Sequence, residues 1–340
     1  MKLRMLVTVL CLSVFLAITP WGTTVAIGKD LTKITLLMPG PSAVSSMCFW
    51  AAVGEGYFKD EGLEVKWEAV DGSSQVLQGL VAGQAQIGRP GPGPLLAARE
   101  RGVDIVSFYN QYPKSQFAMV VKEKSSYQTP RDLKGKVIGI GTADGGEAGF
   151  ARSILAGSDM EEGKDYTFLP VGDGGTAAAA FLRDDIEAYS ASMFDAATIS
   201  LRGVPLREIT PVEFLSYFGS PFMASNAYIK EHPDVIKGFG RALVRGMRFS
   251  LNKANKEKVL EYCKPGNPQE AEQKDLVSAL YDKVLDRMTP VDTSLPWGYQ
   301  PLSGWLKWQE SMLASGVLKK PMPNLEAVFT NEFIEYFNGK

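Results

Sequence analysis

Along residues 45–96 the apolar positions change period repeatedly. Met47, Trp50, Ala51 and Tyr57 recur at helical spacing, and the run stops at Gly54 and Gly56. After the turn Lys59-Asp60-Glu61-Gly62, Leu63, Val65, Trp67 and Ala69 alternate with Glu64, Lys66 and Glu68, the pattern of a half-buried strand. Asp71-Gly72-Ser73-Ser74 supplies cap residues for a second helix with Val76, Leu77, Leu80 and Val81 on its apolar face. Gly83 ends that helix, residues 85–88 form a short buried strand, and Pro94 opens a third helix. An α-β-α-β-α unit with short connections predicts a parallel or mixed sheet covered by helices.

The same alternation extends over most of the chain. Lys33-Ile34-Thr35-Leu36-Leu37-Met38 is the first strand, followed by the turn Pro39-Gly40-Pro41-Ser42. Residues 104–108 and 117–121 are strands, and after Thr129-Pro130-Arg131-Asp132 the pattern restarts. Strands at 137–140, 166–171 and 186–189 each lead into a cap and a helix, so a second α/β lobe repeats the first. Pro233 starts a helix with Ile236, Phe239, Leu243 and Met247 on one face, and the tail from about residue 250 is mostly helical. Two chain crossings, near Phe117 and near Met223, predict a hinge and a cleft. The expected division is residues 27–118 with 224–340 in lobe I and 119–223 in lobe II.

The wording of these elements also resembles a family. Gly-Tyr-Phe-Lys-Asp-Glu-Gly-Leu-Glu-Val at 56–65, then Leu-Val-Ala-Gly-Gln-Ala-Gln-Ile-Gly at 80–88, is similar to the first lobe of periplasmic substrate-binding proteins of ABC transporters. The nearest branch is the nitrate/sulfonate/taurine and thiamine-precursor-like group. The resemblance runs from about Ile34 to about Phe249. It implies a two-lobed, type II periplasmic-binding-protein-like α/β fold that captures a small solute in the inter-lobe cleft for an ABC permease, acting as a monomer without a cofactor.

Composition narrows the function. The chain has 340 residues, 45% hydrophobic and 22% charged, enough for about two packed units. Net charge is −2, which argues against a nucleic-acid partner because that needs a basic face. Lys2 and Arg4 precede an apolar stretch that ends before Pro20, and Thr24-Val25-Ala26 offers small residues at a cleavage site. Residues 1–26 are therefore expected to be a signal peptide, cut after Ala26 for export to the periplasm. Of the remaining cysteines, Cys48 and Cys263, the expected state is two buried thiols.

Candidate chemistry is defined partly by what is missing. The single histidine, His232, precedes Pro233 at a helix start, and no zinc-ligand cluster, nucleophile elbow or phosphate-binding glycine loop is present. No metal site or catalytic residue is expected. What remains is a ring of strand-to-helix loops whose free N–H groups favour anions: Ser42, Ser45, Ser73, Ser74, Thr142, Asp144, Gly174, Thr176, Ser190 and Ser192. For each, plain helix capping is the competing reading. Arg89, beside Pro90 in a Pro/Gly loop, is either a fork for a carboxylate or sulfonate or a solvent-facing or intra-lobe ion-paired arginine. The resemblance implies a small or apolar residue there, so Arg89 departs from the family pattern. Phe49, Trp50, Tyr109, Tyr112 and Tyr189 either line a pocket or fill the core.

Two rival functions share this fold: an enzyme of thiamine-pyrimidine synthesis, whose Cys-rich motif is absent here, and a ligand-bound sensor subunit. The expected solute is a small organic anion, a sulfonate or carboxylate, with a thiamine-pyrimidine precursor as the alternative.

Overall fold

The computed structural model describes residues 30–40, 42–143, 146–290, 292–314 and 316–339. The expected signal peptide and Asp144 lie outside them. Among the described residues ten strands form two mixed sheets. β1 (Thr32–Met38), β2 (Leu63–Ala69), β3 (Ile87–Gly88), β4 (Ile105–Tyr112) and β10 (Gly219–Ser225) make the first, in the order β2-β1-β3-β10-β4. β5 (Phe117–Lys122), β6 (Lys136–Ile140), β7 (Tyr166–Pro170), β8 (Ala188–Ser192) and β9 (Leu206–Glu208) make the second, in the order β7-β6-β8-β5-β9.

The two orders correspond strand for strand. In each sheet the fourth strand, β10 or β5, is antiparallel to both neighbours, and the other four run parallel. Each antiparallel strand is also the first strand reached after a crossing between the sheets. Strand membership puts those crossings at residues 113–116 and 209–218.

Helix Met47–Gly54 and helix Pro233–Leu251 pack directly on one another. Gly246 permits it, since a Cβ there would sit 2.1 Å from the Cys48 carbonyl oxygen. Cys48 and Cys263 are both buried and free. Helix Gly72–Val81 buries Val76, Leu77 and Leu80 as its spacing predicts, but Val81 is left exposed. The third helix spans Pro92–Glu100, starting two residues before Pro94 because Pro92 takes the first-turn position that proline tolerates. His232 ends one helix and begins the next, its ring against Tyr228. Among the described residues no helix is long and apolar enough to cross a membrane.

Candidate functional site

β4 ends where the first crossing begins, and β9 ends where the second begins. The carboxyl ends of the parallel strands in both sheets therefore point toward the junction, and toward each other. Helix Lys274–Met288 ties the two edges, packing on the turn Val44–Ser46 after β1 and on helix Met193–Leu201 after β8. Met193 lies in the same buried apolar cluster as Val44. On another side, helix Leu302–Ala314 packs on Pro92–Glu100 of the first lobe and Gly146–Ala156 of the second. There the hydroxyls of Ser153 and Ser311 meet.

At the first sheet's edge the central group is Arg89, which keeps only 5% of its surface. Its Nη1 donates to Gln111 Oε1 and, at 3.3 Å, to the Ser45 carbonyl oxygen. That same oxygen accepts from Gln111 Nε2 at 3.1 Å and from the Tyr112 hydroxyl. The guanidinium lies 5.9 Å from the ring centres of Tyr112 and Phe222. No carboxylate pairs with it among the described residues, and its Nε is buried without a partner. Burial pushes its pKa down, while the Tyr112 and Cys48 groups pull it up. A buried cation with no counter-ion is costly unless something completes it. The neighbouring Cys48 thiol is pushed up to about 12 by burial, against the pull of Arg89.

At the second sheet's edge three carboxylates gather. Asp195 accepts from Gly174 N at 2.8 Å, Ser192 N at 3.1 Å and Ser192 Oγ at 2.6 Å, closing a capping box on helix Met193–Leu201. Glu147 accepts from Thr142 N at 3.1 Å. Glu147 and Asp173 converge over Gly141, where an added Cβ would meet Asp173 Oδ1 at 2.1 Å and Glu147 Oε1 at 3.0 Å. The Tyr189 hydroxyl donates to the Gly172 carbonyl oxygen and holds this loop in place. Burial first, and then the other carboxylates, push Glu147 and Asp195 above the usual carboxylate range. Among the described residues neither Glu147 nor Asp195 forms an ion pair.

The expected loop residues thus meet the chain's own groups. Ser42 Oγ donates to Glu270 Oε1 at 2.6 Å, and the N–H groups of Ala43 and Val44 donate to Glu270 Oε2 at 2.8 and 3.1 Å. Ser45 turns its hydroxyl back to the Ser42 carbonyl. Ser73 Oγ accepts from Gly91 N, joining two loops of the first sheet, while Ser74 is exposed and Pro90 buried. Thr176 caps locally on the Asp173 carbonyl, and buried Ser190 donates to the Glu147 carbonyl. Phe49 lies in the core against Trp50, Phe58 and Trp67. Tyr109 is packed between Phe222 and Phe337, its hydroxyl buried without a partner. The donors at several of these strand ends are therefore spoken for by Glu147, Asp195 and Glu270.

Sequence reasoning did not single out those three carboxylates, nor Asp173 or Phe194. Ser192 followed three residues later by Asp195 is a legible capping signal. Nothing local points to Glu270, which is 228 residues from Ser42.

Comparison with known proteins bears on this arrangement. A family model described as NMT1/THI5 like matches residues 44–256. The riboflavin-binding protein RibY of Chloroflexus aurantiacus is 26% identical over 314 residues, covering 89% of this chain and 86% of its own. The periplasmic aliphatic sulphonate-binding protein SsuA of Escherichia coli superposes with a TM-score of 0.67 at 16% identity, over 87% of this chain and 91% of that one. The periplasmic nitrate-binding protein NrtA of Synechocystis PCC 6803 gives 0.64 at 11% identity, over 91% and 88%. These two share the two-lobed fold.

Proposed function

The chain belongs to the NMT1/THI5-like family, and from that premise we propose that it is the solute-capturing component of an ABC importer. In this reading it is exported with cleavage after Ala26, closes its lobes on a small organic solute, and presents the closed form to a membrane permease. The observation that carries the site is Arg89, a buried guanidinium without a carboxylate partner at the edge where strand ends of both sheets converge. A solute oxygen, from a carbonyl, carboxylate or sulfonate, completes its hydrogen bonding. The deep burial of the Cys48 thiol and its high pKa favour capture over nucleophilic chemistry.

The test is a thermal-shift screen with riboflavin, methanesulfonate, nitrate, a hydroxymethylpyrimidine and choline, followed by titration calorimetry. At a hundredfold excess over Kd a binder stabilises by about 2.7 kcal/mol. Arg89→Ala should weaken the bound solute by roughly ten- to a hundredfold, at about 1.4 kcal/mol per tenfold. Arg89→Lys should recover only part of that, since an ammonium cannot make the planar contact. Equal affinities in all three proteins would remove Arg89 from the site.

A further inference from the structure

Residues 268–288 of the tail form one strap. Helix Pro268–Glu272 runs into helix Lys274–Met288 through Gln273 alone. Backbone bonds bridge that joint on both sides: Gln273 N donates to the Glu270 carbonyl, and Val277 N donates to the Gln273 carbonyl, each at 3.0 Å. The 15 residues of the second helix span about 22 Å. Leu280, Tyr281, Val284 and Met288 are fully buried along it, so it is packed as a rod and not as a loose tail.

The two ends of the strap are fixed to different things. At its start the buried Glu270 carboxylate holds Ser42 Oγ and the N–H groups of Ala43 and Val44, at 2.6, 2.8 and 3.1 Å. At its finish Arg287 pairs at 2.7 Å with Glu208 on β9 of the second lobe. The Arg287 carbonyl also accepts from Lys114 N in the first crossing, at 3.4 Å, and Asp286 pairs with the Lys114 ammonium at 3.1 Å.

A third set of bonds closes the circuit. The Ser45 carbonyl, one residue beyond Val44, accepts from Arg89, Gln111 and Tyr112. Gln111 and Tyr112 are the last two residues of β4, immediately before the first crossing. Loop 42–45, strand end 111–114 and strap 268–288 are thus joined in a ring, each bonded to the other two. Rigid elements linked in this way pass displacement from one joint to the next.

We infer that the strap is a conformational coupling device, which ties the position of the second lobe, held at Glu208, to loop 42–45 of the first. The coupling runs both ways. Resting on the solute-capture reading, Arg89 feeds this ring, because its Nη1 shares the Ser45 carbonyl with Gln111 and Tyr112. Glu270, Arg287 and Glu208 are then positioning residues and touch no solute.

Hydrogen exchange of the chain without any solute, read amide by amide by NMR, tests the device. Arg287→Met should speed the Ala43 and Val44 amides at least about tenfold, although they lie at the far end of the strap. Glu208→Gln, which breaks the same pair from the second lobe and leaves the strap itself intact, should do the same. Amides at the centre of β6 should speed less, marking the release as local. Adding Arg287→Met to Glu270→Ala, in which both loop amides have already lost their acceptor, should change them less than about twofold. Arg241→Met breaks a two-point pair with Glu61 outside the ring and should leave both amides unchanged. If Arg287→Met and Glu208→Gln speed the loop amides no more than the centre of β6, the ends are independent anchors and the device is overturned. Equal release by Arg241→Met overturns it too, since the loop then answers to overall stability alone. Solute capture stands in either case, and is decided separately by the thermal-shift screen.

Discussion

Glu147 carries a cost that can be read from pH. Burial and the nearby carboxylates of Asp173 and Asp195 raise its pKa above the usual 4.5, so the folded chain holds that proton more tightly than the unfolded one. Between the usual value and the raised one the folded state binds more protons, and stability falls as pH rises. Above both values the whole penalty persists. Glutamine has no such penalty and keeps an oxygen for Thr142 N. Glu147→Gln should therefore melt with little difference from the parent near pH 4, and at a higher temperature by pH 7, the gap opening between. A deficit of the same size at every pH would show that the residue acts by packing alone. Arg89 was legible in the sequence as the lone charge in a Pro/Gly loop, but its lack of a carboxylate partner was not. That depends on which acids the fold brings near.

At the scale of elements, period and punctuation placed eight of the ten strands described, but neither β9 nor β10, and gave the tail only as helical. Alternation found β2, and glycines stopped helix Met47–Gly54. Less legible was how the ends of the helices are satisfied, because partners come from far along the chain. Glu270, at the short helix Pro268–Glu272, closes the loop after β1 by taking Ser42 Oγ and the N–H groups of Ala43 and Val44. Glu270→Ala leaves these buried donors unpaired, at about 1–3 kcal/mol for each such group. Its melting temperature should fall clearly, and Glu270→Gln, which keeps one acceptor, should fall less. The same change opens backbone donors at a strand end, so methanesulfonate should stabilise the alanine variant more than the parent. If methanesulfonate stabilises both equally, this loop holds no latent anion site.

Over the whole molecule, the crossings are tied to one another and to the helices of the tail. Ser115 N donates to the Leu215 carbonyl at 2.9 Å, joining the two crossing segments. From helix Lys274–Met288, Asp286 pairs with Lys114 at 3.1 Å and buried Arg287 pairs with Glu208 on β9 at 2.7 Å. Arg287 thereby links a helix packed on the first lobe to a strand of the second, and it belongs to the tail, whose sequence offered only helical periodicity. A hydrogen-bonded charge pair of this kind contributes about 1.5–3 kcal/mol. Arg287→Met should shift the molecule toward separated lobes, seen as a larger radius of gyration by solution scattering without solute. An unchanged radius with a lowered melting temperature would assign the pair to stability and not to lobe position.

The matched strand orders have one more consequence, and it concerns time. The second sheet is drawn from one continuous run of chain, β5 to β9. The first is not: β4 pairs with β10, which lies more than a hundred residues further on, and β3 reaches β4 only through it. A chain emerging N-terminus first can thus complete the later lobe before the earlier one. Until β10 arrives, β3 and β4 are open edges, able to pair with another copy. The lobe begun first is the last to close, and its unfinished edges are where nascent chains are most exposed to one another.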